Sequence, residues 1–288
     1  MPVTRLLATL RGSRRARRAR AARLDGAPTS RPGGVAVTVF PTCVVEAVRP
    51  SVVDHACTAL RTAGASPAVA ALAGCCGQPA WNAGLADDAR RVARVALRTL
   101  ARTQGPVVVP SGSCATMLHE HWPRVFAGTL DERDARAVAD RTVELSAFLA
   151  SRPPVEPRHG GGDLDHDRPA VTYHASCHLT RHLGVHSEPL EVLRRSGHAV
   201  AEPDDDARCC GFGGTFSVKL PEVSVAMADE KLDALLATGA TTVVGCDLSC
   251  LLHLDGRARA RGLDLRFVHL AEAIDGAEAI DHTRRGAR

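Results

Sequence analysis

Eight of the ten cysteines obey one template, used twice. Cys43 recurs as Cys177, Cys75 as Cys209 and Cys76 as Cys210, all at one constant offset, and Cys114 recurs as Cys250 at an offset two positions longer. Each copy therefore reads as a single cysteine, a vicinal pair followed by glycine (Gly77 or Gly211), and a second single cysteine. A lone cysteine is by default a small buried hydrophobe, and Cys57, outside the template, is expected to be one. Adjacent cysteines beside a glycine are poor core material and poor disulfide partners. They suit two thiolates that face one inorganic centre, with the glycine permitting the sharp turn such a centre needs. Four thiolates per copy satisfy either a cysteine-only zinc site or an iron–sulfur cluster. The single cysteines stand more than thirty positions from the vicinal pair on either side, Cys43 and Cys177 before it and Cys114 and Cys250 after it. Structural zinc sites draw their ligands in close pairs, so the spacing leans towards the cluster. A zinc-stabilised module without redox chemistry is the alternative. Thiol–disulfide exchange is weaker still, since the Cys-x-x-Cys motif that tunes such a thiolate is missing.

The elements that must position these thiols alternate between strand and helix, the pattern of an α/β unit with a parallel sheet. Val35 to Val39 is β-branched and apolar and precedes Cys43, which opens a helical stretch ending near Gly64. After Gly77, Leu85, Ala89, Val92, Ala96 and Leu100 recur at helical spacing, with Asp87 and Asp88 in the favourable first turn. Gly105-Pro106 stops that helix and Val107 to Val109 starts a strand. Copy two repeats the order: Val171-Thr172 before Cys177, Pro221 in a first helical turn, Met227, Leu232, Leu235 and Leu236 on one face, Gly239 as a stop, and a strand from Thr241 to Val244. In open α/β sheets ligands gather beyond the carboxyl ends of strands, so cysteines far apart in sequence can converge there. The fold expected is two tandem Rossmann-like, parallel-sheet cysteine-rich domains. The boundaries are a disordered Arg-rich tail at 1–34, a first domain at 35–130, a connecting helix and linker at 131–168, a second domain at 169–275, and a tail at 276–288. Gly160 to Gly162 with Asp163, Asp165 and Asp167 read as the linker.

Composition removes several function classes. The 288 residues are 45% hydrophobic and only 3% aromatic, with 36 Lys and Arg against 32 Asp and Glu. That fits neither a stacking nucleic-acid binder nor an acidic disordered chain. Nine arginines fall within residues 1–33 beside one acid, Asp25, so the rest of the chain is mildly acidic. The tail reads as a solvated extension, with a targeting peptide or an anionic-surface contact as alternatives. No apolar run approaches the roughly 18 residues of a membrane span. The cysteines are too few and wrongly clustered for a disulfide scaffold. A reduced, soluble, cytoplasmic protein is expected, with no nucleic-acid partner and no membrane span. No Ser-His-Asp triad, Walker loop or Gly-x-Gly-x-x-Gly turn is present.

Phe40-Pro41-Thr42-Cys43, Cys75-Cys76-Gly77-Gln78-Pro79-Ala80, Pro110-Ser111-Gly112-Ser113-Cys114 and the run from Cys209 to Ser217 together resemble the CCG-domain iron–sulfur proteins. That family includes the heterodisulfide reductase B subunit and the iron–sulfur subunit of glycolate oxidase. The resemblance covers roughly residues 35 to 275, and within the family it is strongest to the iron–sulfur subunit of systems that oxidise L-lactate to pyruvate. It implies an electron-transfer subunit of such an oxidoreductase complex, acting on a 2-hydroxy acid beside a ferredoxin-like iron–sulfur subunit and a third, smaller subunit. A glycolate oxidase or heterodisulfide reductase-like role is the alternative. It also implies iron–sulfur clusters of the [4Fe–4S] kind, up to one per repeat, held by Cys43, Cys75, Cys76 and Cys114 and by Cys177, Cys209, Cys210 and Cys250. Some members use five cysteines. Cys246 is then a candidate fifth ligand in copy two, but Pro110 stands at the matching place in copy one. Ser111, Ser113, Thr215 and Ser217 are candidate donors to cluster sulfur. His174, His178, His182, His119, His121 and Arg181 are weaker candidates for ligation, proton transfer or substrate contact.

Overall fold

A computed structural model of the protein describes residues 34–70, 73–153, 170–204 and 208–275. The Arg-rich tail, the glycine-rich linker and the C-terminal tail expected from the sequence lie outside these residues. Two four-stranded parallel sheets carry the architecture. The first has the order β2-β1-β3-β4, from β1 (Val35–Val39), β2 (Ala65–Val69), β3 (Val107–Val109) and β4 (Thr142–Glu144). The second has the order β6-β5-β7-β8, from β5 (Val171–His174), β6 (Val200–Ala201), β7 (Thr242–Gly245) and β8 (Arg266–His269). The orders are the same permutation, with the first strand of each repeat flanked by its second and third, as the duplicated cysteine template implies. Each connection between parallel neighbours runs through helices, as parallel pairing demands.

Two local readings need correction. The segment 131–150, expected as a connecting helix, holds the helix Glu132–Ala139, then β4, then the helix Leu145–Ala150. Thr142, Val143 and Glu144 pair in register with Val107, Val108 and Val109, so the first sheet takes its fourth strand from the expected connector. Its brevity and its closing glutamate hide it from a search for apolar alternation. In the helix Ala86–Leu100 the buried residues are Ala89, Ala93, Ala96, Leu97 and Leu100, while Leu85 and Val92 are exposed. The inward-facing stripe is thus rotated by about one position from the expected one, and its small Ala89 and Ala93 stand where the Gly77 turn approaches: a Cβ on Gly77 would lie 2.7 Å from Ala89 O and 3.2 Å from Ala93 Cβ. In the helix Pro221–Leu236 the buried line is Ser224, Ala228, Lys231, Leu232 and Leu235, with Met227 and Leu236 half-buried.

The two repeats share a packed seam. Val192, Leu248 and Ala271 of the second join Val37, Val39, Val45 and Leu145 of the first in one apolar cluster. Arg49 pairs with Glu272 at 3.2 Å and His55 with Asp275 at 2.7 Å across it. Gly112, in the helix Gly112–Thr116, allows the closest approach: a Cβ there would lie 2.7 Å from Leu179 Cβ in the helix Cys177–Leu183. Cys57 is fully buried in the core, as expected. No helix among the described residues is long and apolar enough to cross a membrane.

Candidate metal centre

Each set of four thiols is assembled from three loops beyond strand ends. In the first, Cys43 opens the helix after β1, Cys75 and Cys76 follow β2, and Cys114 lies in the helix after β3. Cys76 and Cys114 approach to 3.4 Å between sulfurs, and Cys43 donates to Cys75. In the second, Cys177 opens the helix after β5, Cys209 and Cys210 follow β6, and Cys250 lies in the helix after β7. Cys177 and Cys209 are 3.6 Å apart, and Cys210 hydrogen-bonds Cys250. All ten cysteines are free thiols.

The Cys-Cys-Gly turn is built by its glycine. Gly77 and Gly211 have φ of 93° and 84°, a region that disfavours any Cβ. A Cβ would also lie 2.7 Å from Ala89 O in one copy and 2.4 Å from Ser224 O in the other. The turn is thereby pressed against the following helix. Its amide points back at the first cysteine, Gly77 N–H to Cys75 Sγ at 3.5 Å and Gly211 N–H to Cys209 Sγ at 3.4 Å. Trp122, fully buried just after the π-helical turn Met117–His121, donates from Nε1 to Cys76 O at 2.9 Å. Thr42, beside Cys43, is the one non-glycine residue with positive φ among those described, at 53°. A strained residue next to a candidate ligand is a common mark of a functional loop.

The electrostatics prepare thiolates. Hydrogen bonds from Cys43, then Cys76, and the Gly77 amide bring Cys75 down to about 3. Cys177, Cys210 and the Gly211 amide bring Cys209 to about 2. Cys43 and Cys177 are pushed up because they donate to these sulfurs and are largely buried. Each set thus holds one ready thiolate, and a cation in its midst would draw the remaining protons off, as metal binding by cysteine requires.

The expected serine donors turn elsewhere. Asp247, 2% exposed just past β7, accepts from Ser111 Oγ at 3.1 Å, Ser113 N at 2.7 Å, Ser113 Oγ at 2.9 Å, Ser176 Oγ at 3.2 Å and Ser249 Oγ at 3.3 Å. A carboxylate is a far better acceptor than a thiol. Ser113 precedes Cys114 and Ser176 precedes Cys177, so one carboxylate anchors a cysteine loop of each set. Asp247 was not visible as special in the sequence; its place directly beyond a strand end was the only signal. Thr215 is exposed and Ser217 donates to Gly214 O at 2.9 Å.

Cys246 is fully buried against Leu179 and Val185. A Cβ on Gly112 would lie 3.4 Å from its sulfur, and burial pushes its thiol well up. Of the histidines, His119 bonds Ala139 O at 3.0 Å. His178 lies 3.7 Å from Cys177 Sγ and stacks on His182, which pairs with Glu120 at 2.8 Å across the seam. Trp81 and His121 continue this row of rings, and Glu120, His121 and His182 together could hold a cation. Arg181 is exposed. His174 lies within 4.8 Å of Cys210 and Cys250 and could join a metal they bind. Burial, then the charge of fully buried Lys231, bring His174 down to about 3, leaving a neutral ring.

The donor set fits a thiophilic centre in each repeat. Comparison with known proteins agrees: the family model described as "Cysteine-rich domain" matches residues 37–119 and again 171–255. Lactate utilization protein A of Halalkalibacterium halodurans is 36% identical over 243 residues, covering 84% of this chain and 97% of that protein. The protein of that name from Anoxybacillus flavithermus is 37% identical over 241 residues, 83% and 98% of the two chains. The one from Geobacillus sp. is 40% identical over 203 residues, 70% and 82%.

Proposed function

Because the chain belongs to the family of lactate utilization protein A and consists of two Cysteine-rich domains, we propose that it serves lactate utilization as an iron–sulfur electron-transfer subunit of an L-lactate-oxidising complex. The observation that carries this reading is the pair of four-thiol sets, each gathered from three loops at strand ends. Cys43, Cys75, Cys76 and Cys114 would hold one [4Fe–4S] cluster, and Cys177, Cys209, Cys210 and Cys250 the other. Such clusters supply one-electron steps between a two-electron substrate oxidation and an acceptor.

The chain's own residues do the rest. The Gly77 and Gly211 amides donate to the thiolates and hold their negative charge. Trp122 fixes the Cys76 peptide, and Asp247 fixes Ser113 and Ser176 beside two further ligands. Buried aliphatic residues behind each set, such as Leu97 and Leu251, exclude water from its inner side. The partners proposed are a ferredoxin-like iron–sulfur protein and a third, smaller subunit, in the cytoplasm, where ten free thiols persist.

A second reading, one zinc ion in each set, draws on the sulfur separations of 3.4 and 3.6 Å. These are near the edge of about 3.8 Å of a tetrahedron with Zn–S of about 2.3 Å, although no three thiols of either set lie within 4.8 Å of one another. Four thiolates complete such a site and leave His174, beside the second set, without a partner.

Anaerobic purification with iron, zinc and acid-labile sulfide measured per chain decides between them. About four to eight irons with matching sulfide are expected, with Cys76→Ser and Cys210→Ser each removing one centre's share. Zinc without sulfide would overturn the redox reading. Disruption of the gene should abolish growth on lactate and spare growth on glycolate; the reverse, with a flavoprotein co-purifying, would move the chain to a glycolate oxidase.

A further inference from the structure

His174 stands three residues before Cys177, and Phe40 three residues before Cys43, so the two share one place in the template, at the same offset as the cysteines. Phe40 is fully buried and belongs to the same apolar cluster as Cys76 and Cys114. In the second set the ring is an imidazole that is 1% exposed. Neither of its nitrogens has a hydrogen-bond partner. Buried polar atoms are nearly always satisfied, and an orphaned one costs about 1–3 kcal/mol. Two orphans on one ring call for a group that they face. The neighbours on that side are Cys210 and Cys250, whose sulfurs and one His174 nitrogen all lie within 4.8 Å of one another.

Resting on the iron–sulfur reading above, we infer that a ring nitrogen of His174 is an additional ligand to an iron of the second centre, beside Cys210 and Cys250. The first centre is then held by thiolates alone and the second by thiolates and an imidazole. Cys246, the other candidate for an extra ligand, keeps its sulfur against Gly112, Leu179 and Val185 instead. An added neutral nitrogen donor changes the electron density at its iron without changing the net charge of the centre, and so shifts the reduction potential. Two centres on nearly identical scaffolds thereby acquire different potentials, as a directional relay requires.

The test uses the full chain, purified anaerobically with its iron, with all histidines labelled with ¹⁵N and with the centres reduced by dithionite to a paramagnetic state, and reads the nitrogen hyperfine coupling by pulsed EPR. A directly bonded nitrogen should be present in the wild type. It should be lost in His174→Phe, which reproduces copy one, and kept in His178→Phe, which removes the imidazole 3.7 Å from Cys177 Sγ. His174→Cys, a ligand without nitrogen, should keep the second centre and lose the coupling, which covers a Phe variant that fails to assemble it. A coupling that survives in His174→Cys, or an iron-loaded wild type without one, overturns this inference alone. A wild type with neither iron nor sulfide overturns the iron–sulfur reading and the inference with it.

Discussion

Asp247→Ala should weaken both halves of the molecule at once. The carboxylate is 2% exposed and takes five hydrogen bonds, three of them from the loop Ser111 to Ser113 of the other repeat. Hydroxyls of Ser111, Ser113, Ser176 and Ser249 can turn to other acceptors once it is gone. The Ser113 amide cannot, and a buried bond from it to a carboxylate is worth about 1.5–3 kcal/mol. Adding about 1 kcal/mol for each of the Ser111 and Ser176 hydroxyls, only partly recovered, gives an expected loss of about 3–5 kcal/mol. With a urea slope of roughly 2–3 kcal/mol/M the midpoint should fall by roughly 1–2.5 M. Urea unfolding of metal-free protein reads this without contribution from a bound centre. Ser249→Ala, which removes the longest of the five bonds and the Ser249 hydroxyl's bond to Cys250, should cost less than Asp247→Ala, about 1–2 kcal/mol. Because Ser113 and Ser176 adjoin Cys114 and Cys177, the loaded variant should lose iron from both sets. A loss below about 1 kcal/mol in Asp247→Ala, or iron missing only from the second set, would refute the reasoning.

Gly211→Ala and Gly77→Ala should each cost about 2–5 kcal/mol, from the positive φ together with the carbonyl 2.4 or 2.7 Å from the new Cβ. Gly64→Ala, at φ 78° with nothing within 4 Å, isolates the φ contribution at about 1–2 kcal/mol in the same thermal unfolding series. Glu144, 1% exposed at the end of β4, is raised to about 7 by burial, against the hydrogen bonds it accepts from Ser146 and Ala147. Its folded pKa lies above the unfolded one, so the native state holds the proton longer and loses stability as pH climbs from about 4.5 to about 7. Glu144→Gln removes that loss: measured against wild type, it should gain up to about 3 kcal/mol between pH 5 and 8, whereas a pH-independent difference would contradict the assignment. Trp122→Phe deletes the bond to Cys76 O and should cost about 1–3 kcal/mol while lowering iron in the first set only; equal loss from both sets would count against a local role.

The repeat and the thiols were legible because their signals are discrete. A cysteine template repeated at one offset is readable whatever stands in the helices between, and Val35–Val39 and Val107–Val109 declare themselves by β-branching alone. The edges were less readable. Ala65–Val69 contains Pro67, tolerable because β2 is an edge strand, and nothing in Ala-Ser-Pro-Ala-Val signals a strand. Thr142–Glu144 ends on a buried glutamate that caps the next helix, accepting from the Ser146 and Ala147 amides, so its last residue reads as a cap and not as strand. In Ala86–Leu100 either of two stripes satisfies helical periodicity, and only the close approach of the Gly77 turn to Ala89 and Ala93 chooses Ala93 over Val92. Asp247 could not be found at all from local sequence, since its partners Ser111, Ser113 and Ser176 stand 136, 134 and 71 residues away.

The seam shows why two similar units act as one body. Apolar contacts such as Val192 and Leu248 against Val37 and Leu145 hold the repeats together, but such contacts are non-directional and permit sliding. Bonds of fixed geometry do not. His269 Nε2 lies 3.2 Å from Pro110 O and 3.0 Å from Cys246 O, the two residues that follow β3 and β7. Thr116 Oγ1 donates to His178 O at 3.1 Å, and Gly112 admits Leu179 where no larger residue fits. Every one of these bonds lies within a few residues of a cysteine in the template. Fully satisfied buried polar contacts specify a single arrangement, and here they specify the placement of one thiol set relative to the other, on which electron transfer would depend if each set held a cluster as proposed above.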